Sequence, residues 1–122
     1  MHHLHTLAEM GIPPAREPAD SPIVVDALVG YGLQGELRGR VGELAAWSNG
    51  RFTASLDFPS GYGFPGGVDA AATLTLALPK EGLRSIAPLY VADLGLPSAL
   101  WARMGLAVAP LFAEGRILRI VP

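Results

Sequence analysis

Two short segments carry residue types that could bind a nucleotide and act on it. Residues 30–35 read Gly-Tyr-Gly-Leu-Gln-Gly, the G-x-G-x-x-G spacing in which glycines let backbone N–H groups approach a pyrophosphate. Asp57 follows these glycines at about the twenty-residue distance at which a dinucleotide fold places the acid that binds a ribose hydroxyl. The pattern indicates a nucleotide site, and a tight strand-to-helix turn without a ligand is its structural alternative.

The surrounding sequence predicts the elements that position these segments. Residues 23–29 form a near-continuous apolar run interrupted by one acid, Asp26, which is typical of a parallel strand covered on both faces. Apolar residues at helical spacing predict a helix over residues 37–48, ending at Asn49-Gly50. Residues 52–58 predict the next strand. Strand, helix and strand in this order imply a right-handed parallel crossover.

The other elements complete an α/β pattern, with glycine and proline between them. They are, in chain order, a helix at residues 4–10, a loop at 13–21, strands at 71–78 and 89–94, a helix at 98–104 capped by Ser98, and an edge strand at 116–121. We expect a Rossmann-like three-layer sandwich with a mainly parallel sheet.

Composition excludes several classes of protein. The 122 residues suffice for one domain, and half of them are hydrophobic. Nine basic residues are scattered among eleven acidic ones, for a net charge of −2, so no basic stripe predicts nucleic-acid binding. The apolar run at residues 70–78 is shorter than the roughly 18–20 residues of a membrane helix. With no cysteine and no signal peptide, we expect a soluble, cytoplasmic protein.

Four segments of the chain resemble the NAD(P)H-hydrate epimerase family, a YjeF amino-terminal-type domain, in its carboxyl-terminal half. The family's patterns are V-D-A-x-x-G-x-G-x-x-G, D-I-P-S-G, P-K-x-G-L and V-A-D-I-G-I-P. They match residues 25–35, 57–61, 79–83 and 91–97 in that order, with Phe58, Leu94 and Leu96 in place of the family's isoleucines. Four ordered matches are more specific than the glycine pattern alone.

The resemblance implies an isomerase that interconverts the R and S forms of hydrated NADH or NADPH (NADHX or NADPHX) in nicotinamide cofactor repair. It implies that Asp57 contacts the cofactor and acts as the catalytic acid and base. It also implies that Asp26 and Ser60 are ligands of a potassium ion, since hard cations prefer oxygen donors. The implied cofactor loop consists of Gly30, Tyr31, Gly32, Leu33, Gln34, Gly35 and Glu36.

Each of these residues also has a structural interpretation. Asp26 could accept backbone N–H bonds from the glycine segment, Ser60 could bond its own backbone, and Asp57 could cap the following turn. Lys80 either faces the nucleotide phosphates or is solvated. The aromatic residues of the predicted loops either stack on a ring or close a local core; they are Tyr31, Tyr62 and Phe64.

The chain also departs from the family. The family has a long region ahead of these segments, so we expect residues 1–122 to form one partial domain, as a fragment, split gene product or truncated frame. Its expected parts are a helix end and loop (1–20), the core with the site motifs (21–97), and a helix with an edge strand (98–122). Residues 62–68 replace a longer family loop.

These departures predict that the chain alone is inactive or nearly so and needs the missing half for activity. The resemblance leaves open a homodimer and a dehydratase domain in the parent protein. Two other functions remain open: a non-catalytic module for nucleotide binding or protein interaction, and an NAD-dependent dehydrogenase half-domain.

Overall fold

A five-stranded sheet is the frame of the computed structural model, which describes residues 2–107 and 111–121. The strands lie in chain order, β1 to β4 parallel and β5 antiparallel to β4. This confirms the predicted α/β, Rossmann-like class with a mainly parallel sheet. The elements are α1 (His2–Glu9), β1 (Ile23–Asp26), α2 (Gly39–Ser48), β2 (Phe52–Leu56), β3 (Ala72–Leu76), a 3₁₀ turn (Glu81–Leu83), β4 (Leu89–Ala92), α3 (Ser98–Arg103) and β5 (Ile117–Ile120).

The unit β1–α2–β2 carries both chemistry-bearing segments. β1 pairs with β2 in parallel, with Asp26 opposite Ser55, which confirms the predicted parallel crossover. α2 packs on β1 and buries Ala45 and Ser48. The helix begins at Gly39, two residues later than predicted, so the glycine segment lies in a loop that does not lead directly into the helix.

Strand β1 differs from the prediction of a strand buried on both faces. It lies at an edge of the sheet, and the side chains of Ile23 and Val25 are 62% and 68% exposed. The reason is that successive strand residues point to opposite faces, and within the described residues only the face of Asp26 is covered. The neighbouring Phe52 and Leu56 on β2 are exposed in the same way.

The covered face of the sheet is polar along β2 and β3. Thr53, Ser55, Thr73 and Thr75 are buried there, and Ser55 lies opposite the buried Asp26. Buried hydroxyls require hydrogen-bond partners, and most of these have them: Ser55, for example, donates to Asp26 at 2.7 Å. The polar face therefore leads from the middle of the sheet to the predicted site at its carboxyl edge.

Strands β2 and β3 both end two residues earlier than predicted, because a non-glycine residue with positive φ follows each. Asp57 (φ 69°) and Ala77 (φ 63°) are these residues. Each is the centre of a three-residue turn, closed by Phe58 N–H to Leu56 O (2.9 Å) and by Leu78 N–H to Leu76 O (2.8 Å). Three-residue turns of positive φ are rare and strained.

The helices at the two ends of the described chain are short. In α3, Pro97 occupies the cap position and no side-chain cap bond forms, so the prediction that Ser98 caps this helix is wrong. No helix in residues 2–107 and 111–121 combines the length and apolar character needed to cross a membrane.

Candidate functional site

The glycine loop, residues 30–36, opens onto a cavity at the carboxyl edge of the sheet. Gly32 and Gly35 have positive φ, at 121° and 89°, a conformation that glycine adopts without strain. The backbone N–H groups of residues 32–36 donate no hydrogen bond to any described residue. The cavity measures about 330 Å³ and is lined by Gly30, Tyr31, Gly32, Leu33, Gln34, Phe58, Gly61, Tyr62 and Phe64. Unpaired N–H groups beside a cavity of this size are suited to anionic oxygens.

An aromatic wall closes one side of this cavity. The rings of Tyr31 and Phe58 have centroids 5.7 Å apart at 73°, and those of Phe58 and Tyr62 are 5.7 Å apart at 80°. Such edge-to-face pairs are favourable arrangements of aromatic rings. The sequence analysis could not decide whether Tyr31, Tyr62 and Phe64 stack on a ligand or close a local core. It did not predict a role for Phe58, although Phe58 lies between Asp57 and Pro59 in one of the family segments.

Asp57 lies beneath the glycine loop at the end of β2. Its Oδ1 accepts hydrogen bonds from Lys80 Nζ and from the backbone N–H of Leu76 (3.3 Å). Its Oδ2 faces the loop, since a Cβ added to Gly30 would lie 3.8 Å from that oxygen. The structure therefore brings together the two segments that the sequence singled out, Asp57 and the start of the glycine loop, whereas Gly35 and Glu36 lie outside the cavity wall.

Asp26 is buried (2% exposed) and its carboxylate accepts four hydrogen bonds. Oδ1 accepts from Ser60 Oγ (2.6 Å) and Leu28 N–H (3.2 Å), and Oδ2 from Ser55 Oγ (2.7 Å) and Ser60 N–H (2.9 Å). The two backbone donors, Leu28 and Ser60, lie outside the glycine loop, so the structure does not show the predicted alternative in which that loop donates to Asp26. Ser60 likewise bonds distant residues and not its own backbone. The network ties the end of β1 to the turn after β2.

Ser60 begins a compact loop, residues 60–68, that forms the floor of the cavity. Val68 N–H donates to Ser60 O at 2.8 Å, which closes the loop. Gly61 has φ 74° and lies against Gly67. A Cβ added to Gly67 would lie 2.4 Å from the carbonyl oxygen of Gly61. The two glycines are therefore required by a close approach of backbone to backbone.

Replacing Gly67 with alanine is expected to destabilise the chain by about 1–3 kcal/mol, because the new methyl group must displace the Gly61 carbonyl. Urea denaturation measures the loss. Gly115→Ala is the matched control, because its Cβ would have no neighbour closer than 3.9 Å; we expect its effect to stay within about 0.5 kcal/mol. Equal stability of the two variants would contradict the close approach.

The ion pairs of Arg40 lie outside the site. Among the described residues, no three His, Cys, Asp or Glu side chains form a metal-binding group. Arg40 binds Glu17 and Glu43 at 2.8 and 3.0 Å, and these hydrogen bonds raise its pKa above the usual value. Arg40 therefore links the loop before β1 to α2 and does not face the cavity.

The sequence matches a family described as YjeF-related protein N-terminus over residues 1–82. An NAD(P)H-hydrate epimerase of Dehalogenimonas lykanthroporepellens is 42% identical over 104 residues, covering 77% of this chain and 42% of that protein. One of Truepera radiovictrix is 39% identical over 108 residues, covering 80% and 48%. A bifunctional NAD(P)H-hydrate repair enzyme Nnr of Salinibacter ruber is 36% identical over 94 residues, covering 66% and 17%. The chain thus spans less than half the length of these relatives.

Proposed function

This chain belongs to the family of YjeF-related protein amino-terminal domains, and on that premise we propose that its site epimerises hydrated NADH or NADPH. The observation that carries the proposal is the position of the Asp57 carboxylate beneath the glycine loop, where its Oδ2 lies next to Gly30, a residue of the cavity wall. The two relatives named as NAD(P)H-hydrate epimerases support the choice of reaction.

The cavity has the two surfaces that a nicotinamide nucleotide requires. The unpaired N–H groups of residues 32–34, which line the cavity, are suited to phosphate oxygens. Tyr31, Phe58 and Tyr62 offer ring faces and edges to a planar group. Its volume of about 330 Å³ is at the lower end of the range of ligand pockets, so part of the dinucleotide extends beyond it.

Asp57 supplies the acid and base that the reaction requires. When the hydroxyl leaves the hydrated ring carbon, the C–O bond breaks, the ring nitrogen's electron pair forms a C=N bond, and a carboxyl proton leaves with the hydroxyl as water. When water adds to the opposite face, the carboxylate takes the proton back. The proton that the carboxyl gives up in the first half-reaction is regained in the second, so one carboxyl can serve both. Epimerisation therefore begins and ends with the carboxyl form of Asp57, whose Oδ1 accepts a hydrogen bond from Lys80 Nζ.

Potassium is proposed as a cation held by Asp26 and Ser60. The donors fit a hard monovalent cation, because Asp26 is a buried carboxylate whose hydrogen-bond donors are all neutral. Ser60 Oγ lies 2.6 Å from Asp26 Oδ1 and 3.0 Å from Val29 O, yet it has one proton for these two acceptors. A bound cation would neutralise Asp26 and keep the start of the glycine loop in place for the substrate.

The setting of the reaction is proposed from the same relatives and from composition. The Salinibacter ruber protein is named as bifunctional, which indicates a second activity in that protein. We propose that a dehydratase is the enzyme that consumes the product of the epimerisation. The absence of cysteine from the sequence suits the reducing cytoplasm.

The test is an epimerisation assay with the pure R hydrate of NADPH, following the appearance of the S form by chromatography. The chain is assayed alone and in a chimera in which it replaces the matched segment of the Dehalogenimonas lykanthroporepellens epimerase. We expect the chimera to accelerate epimerisation and the chain alone to do so weakly or not at all. No acceleration in either, with the intact relative active in parallel, would contradict the proposal.

A further inference from the structure

Lys80 is the only lysine of the sequence, and its ammonium group lies inside the candidate site. Nζ donates to Asp57 Oδ1, to Thr75 Oγ1 (3.2 Å) and to Leu76 O (2.9 Å). An ammonium has three N–H donors, so all of them are used within the fold. The side chain is 24% exposed, unlike most lysines, which extend into solvent. No donor of Lys80 is left for a substrate phosphate.

The acceptors of Lys80 join the two strained turns that end β2 and β3. Asp57 is the centre of the first turn, and Leu76 O is the acceptor that closes the second turn around Ala77. Non-glycine residues of positive φ cost about 1–3 kcal/mol each and persist only where the surroundings hold them. Lys80 is the side chain that bridges both turns, so it fixes one relative to the other.

This bridge makes the two oxygens of the Asp57 carboxylate unequal. Oδ1 accepts from Lys80 Nζ and from Leu76 N–H. Oδ2 accepts no hydrogen bond from residues 2–107 or 111–121 and faces Gly30 beneath the glycine loop. Without Lys80, rotation about χ2 of Asp57 would exchange the oxygens or turn both away from the loop, since terminal carboxylate torsions are broad.

We propose that Lys80 is the positioning residue of the epimerisation site: it holds Asp57 Oδ1 so that Oδ2 alone meets the reacting carbon. The proposal rests on the proposed function. Its consequence is that losing Lys80 lowers kcat and leaves nucleotide affinity almost unchanged, because Lys80 touches the acid–base group and not the substrate. A phosphate-binding lysine would have the opposite signature.

The first experiment needs no turnover. In protein labelled with ¹³C at lysine Cε, the single lysine gives one side-chain NMR signal. We expect Asp57→Asn to move this signal and Asp69→Asn, at an exposed aspartate without an ion pair among the described residues, to leave it in place. We also expect saturating NADPH to move it less than Asp57→Asn does. If Asp57→Asn leaves the lysine signal at the same chemical shift, the proposal is overturned, whether or not the protein is an epimerase.

The second experiment is a double-mutant cycle with Lys80→Met and Asp57→Asn in the active chimera, scored on kcat, on KM and on NADPH affinity by calorimetry. We expect Lys80→Met to lower kcat by about 10–100-fold, the scale of a misplaced reacting group. In the Asp57→Asn background it should lower kcat by less than about twofold, because the two residues act as a unit. Equal losses in both backgrounds, or nucleotide binding weakened about tenfold, would overturn the positioning role.

Arg84→Met is the matched control, because Arg84 is a cation on the same segment whose side chain is 84% exposed. We expect its kcat and thermal midpoint to equal those of the unchanged protein. If the chimera shows no turnover, the proposed function fails, and the NMR result still decides whether Lys80 holds Asp57.

Discussion

Asp57→Asn is expected to lower kcat for epimerisation by about 10²–10⁴-fold, the typical contribution of a positioned acid–base group. The amide has the same shape as the carboxyl, and asparagine tolerates the positive φ of 69° that this position requires. The backbone turn and the cavity should therefore persist, while the proton that leaves with the hydroxyl and returns with water has no carrier. The measurement is kcat for the R-to-S conversion in the active chimera.

The control for this prediction is the affinity for NADPH, measured by calorimetry with the same variant. Asp57 lies next to Gly30 and is not one of the residues that line the cavity, so we expect binding to change by less than about threefold, or roughly 0.6 kcal/mol. Unchanged kcat would instead favour a nucleotide-binding module on this fold. A loss of binding equal to the loss of kcat would assign Asp57 the ribose-binding role of a dehydrogenase half-domain.

The sequence predicted the frame of the fold because the physical signals for it are local. Apolar runs and helical spacing predicted eight of the nine segments of secondary structure, and only the 3₁₀ turn was missed. The strand–helix–strand order predicted the parallel pairing of β1 and β2. The exposure of Ile23 and Val25 could not be predicted. An apolar run shows that a strand suits burial, but what covers it depends on which neighbours fold around it.

For the site, sequence reasoning found residues with a spacing signal and missed those that act through space. The glycines and Asp57 were found because their spacing follows a known physical pattern. The pairing of Lys80 with Asp57 joins residues 23 positions apart through two turns of positive φ, and no local propensity predicts such turns at Asp57 and Ala77. The wall formed by Phe58 was missed for the same reason, because its partners lie on two separate loops.

Asp26→Ala is expected to cause the largest loss of stability of any substitution considered, about 3–5 kcal/mol, because it breaks a buried polar network. The Ser55 hydroxyl and two backbone N–H groups would lose their acceptor, and the Ser60 hydroxyl would keep only Val29 O. A small domain is stable by only about 5–15 kcal/mol, so Asp26→Asn, which keeps one acceptor oxygen, is measured beside it and should show an intermediate loss. Urea denaturation gives both values, and Asp69→Ala, at an exposed position, is the matched control.

The same measurement separates the two interpretations of Asp26 when it is repeated in potassium chloride and in choline chloride at equal ionic strength. A cation that binds only the folded chain stabilises it by mass action, by about 2.7 kcal/mol at a hundred times its dissociation constant. If Asp26 and Ser60 hold potassium, the unchanged chain gains stability in potassium and Asp26→Asn does not. If the four neutral donors already satisfy the carboxylate, the two salts give equal stability. Asp26 then has a structural role, because its hydrogen bonds connect β1 to the loop that forms the floor of the cavity.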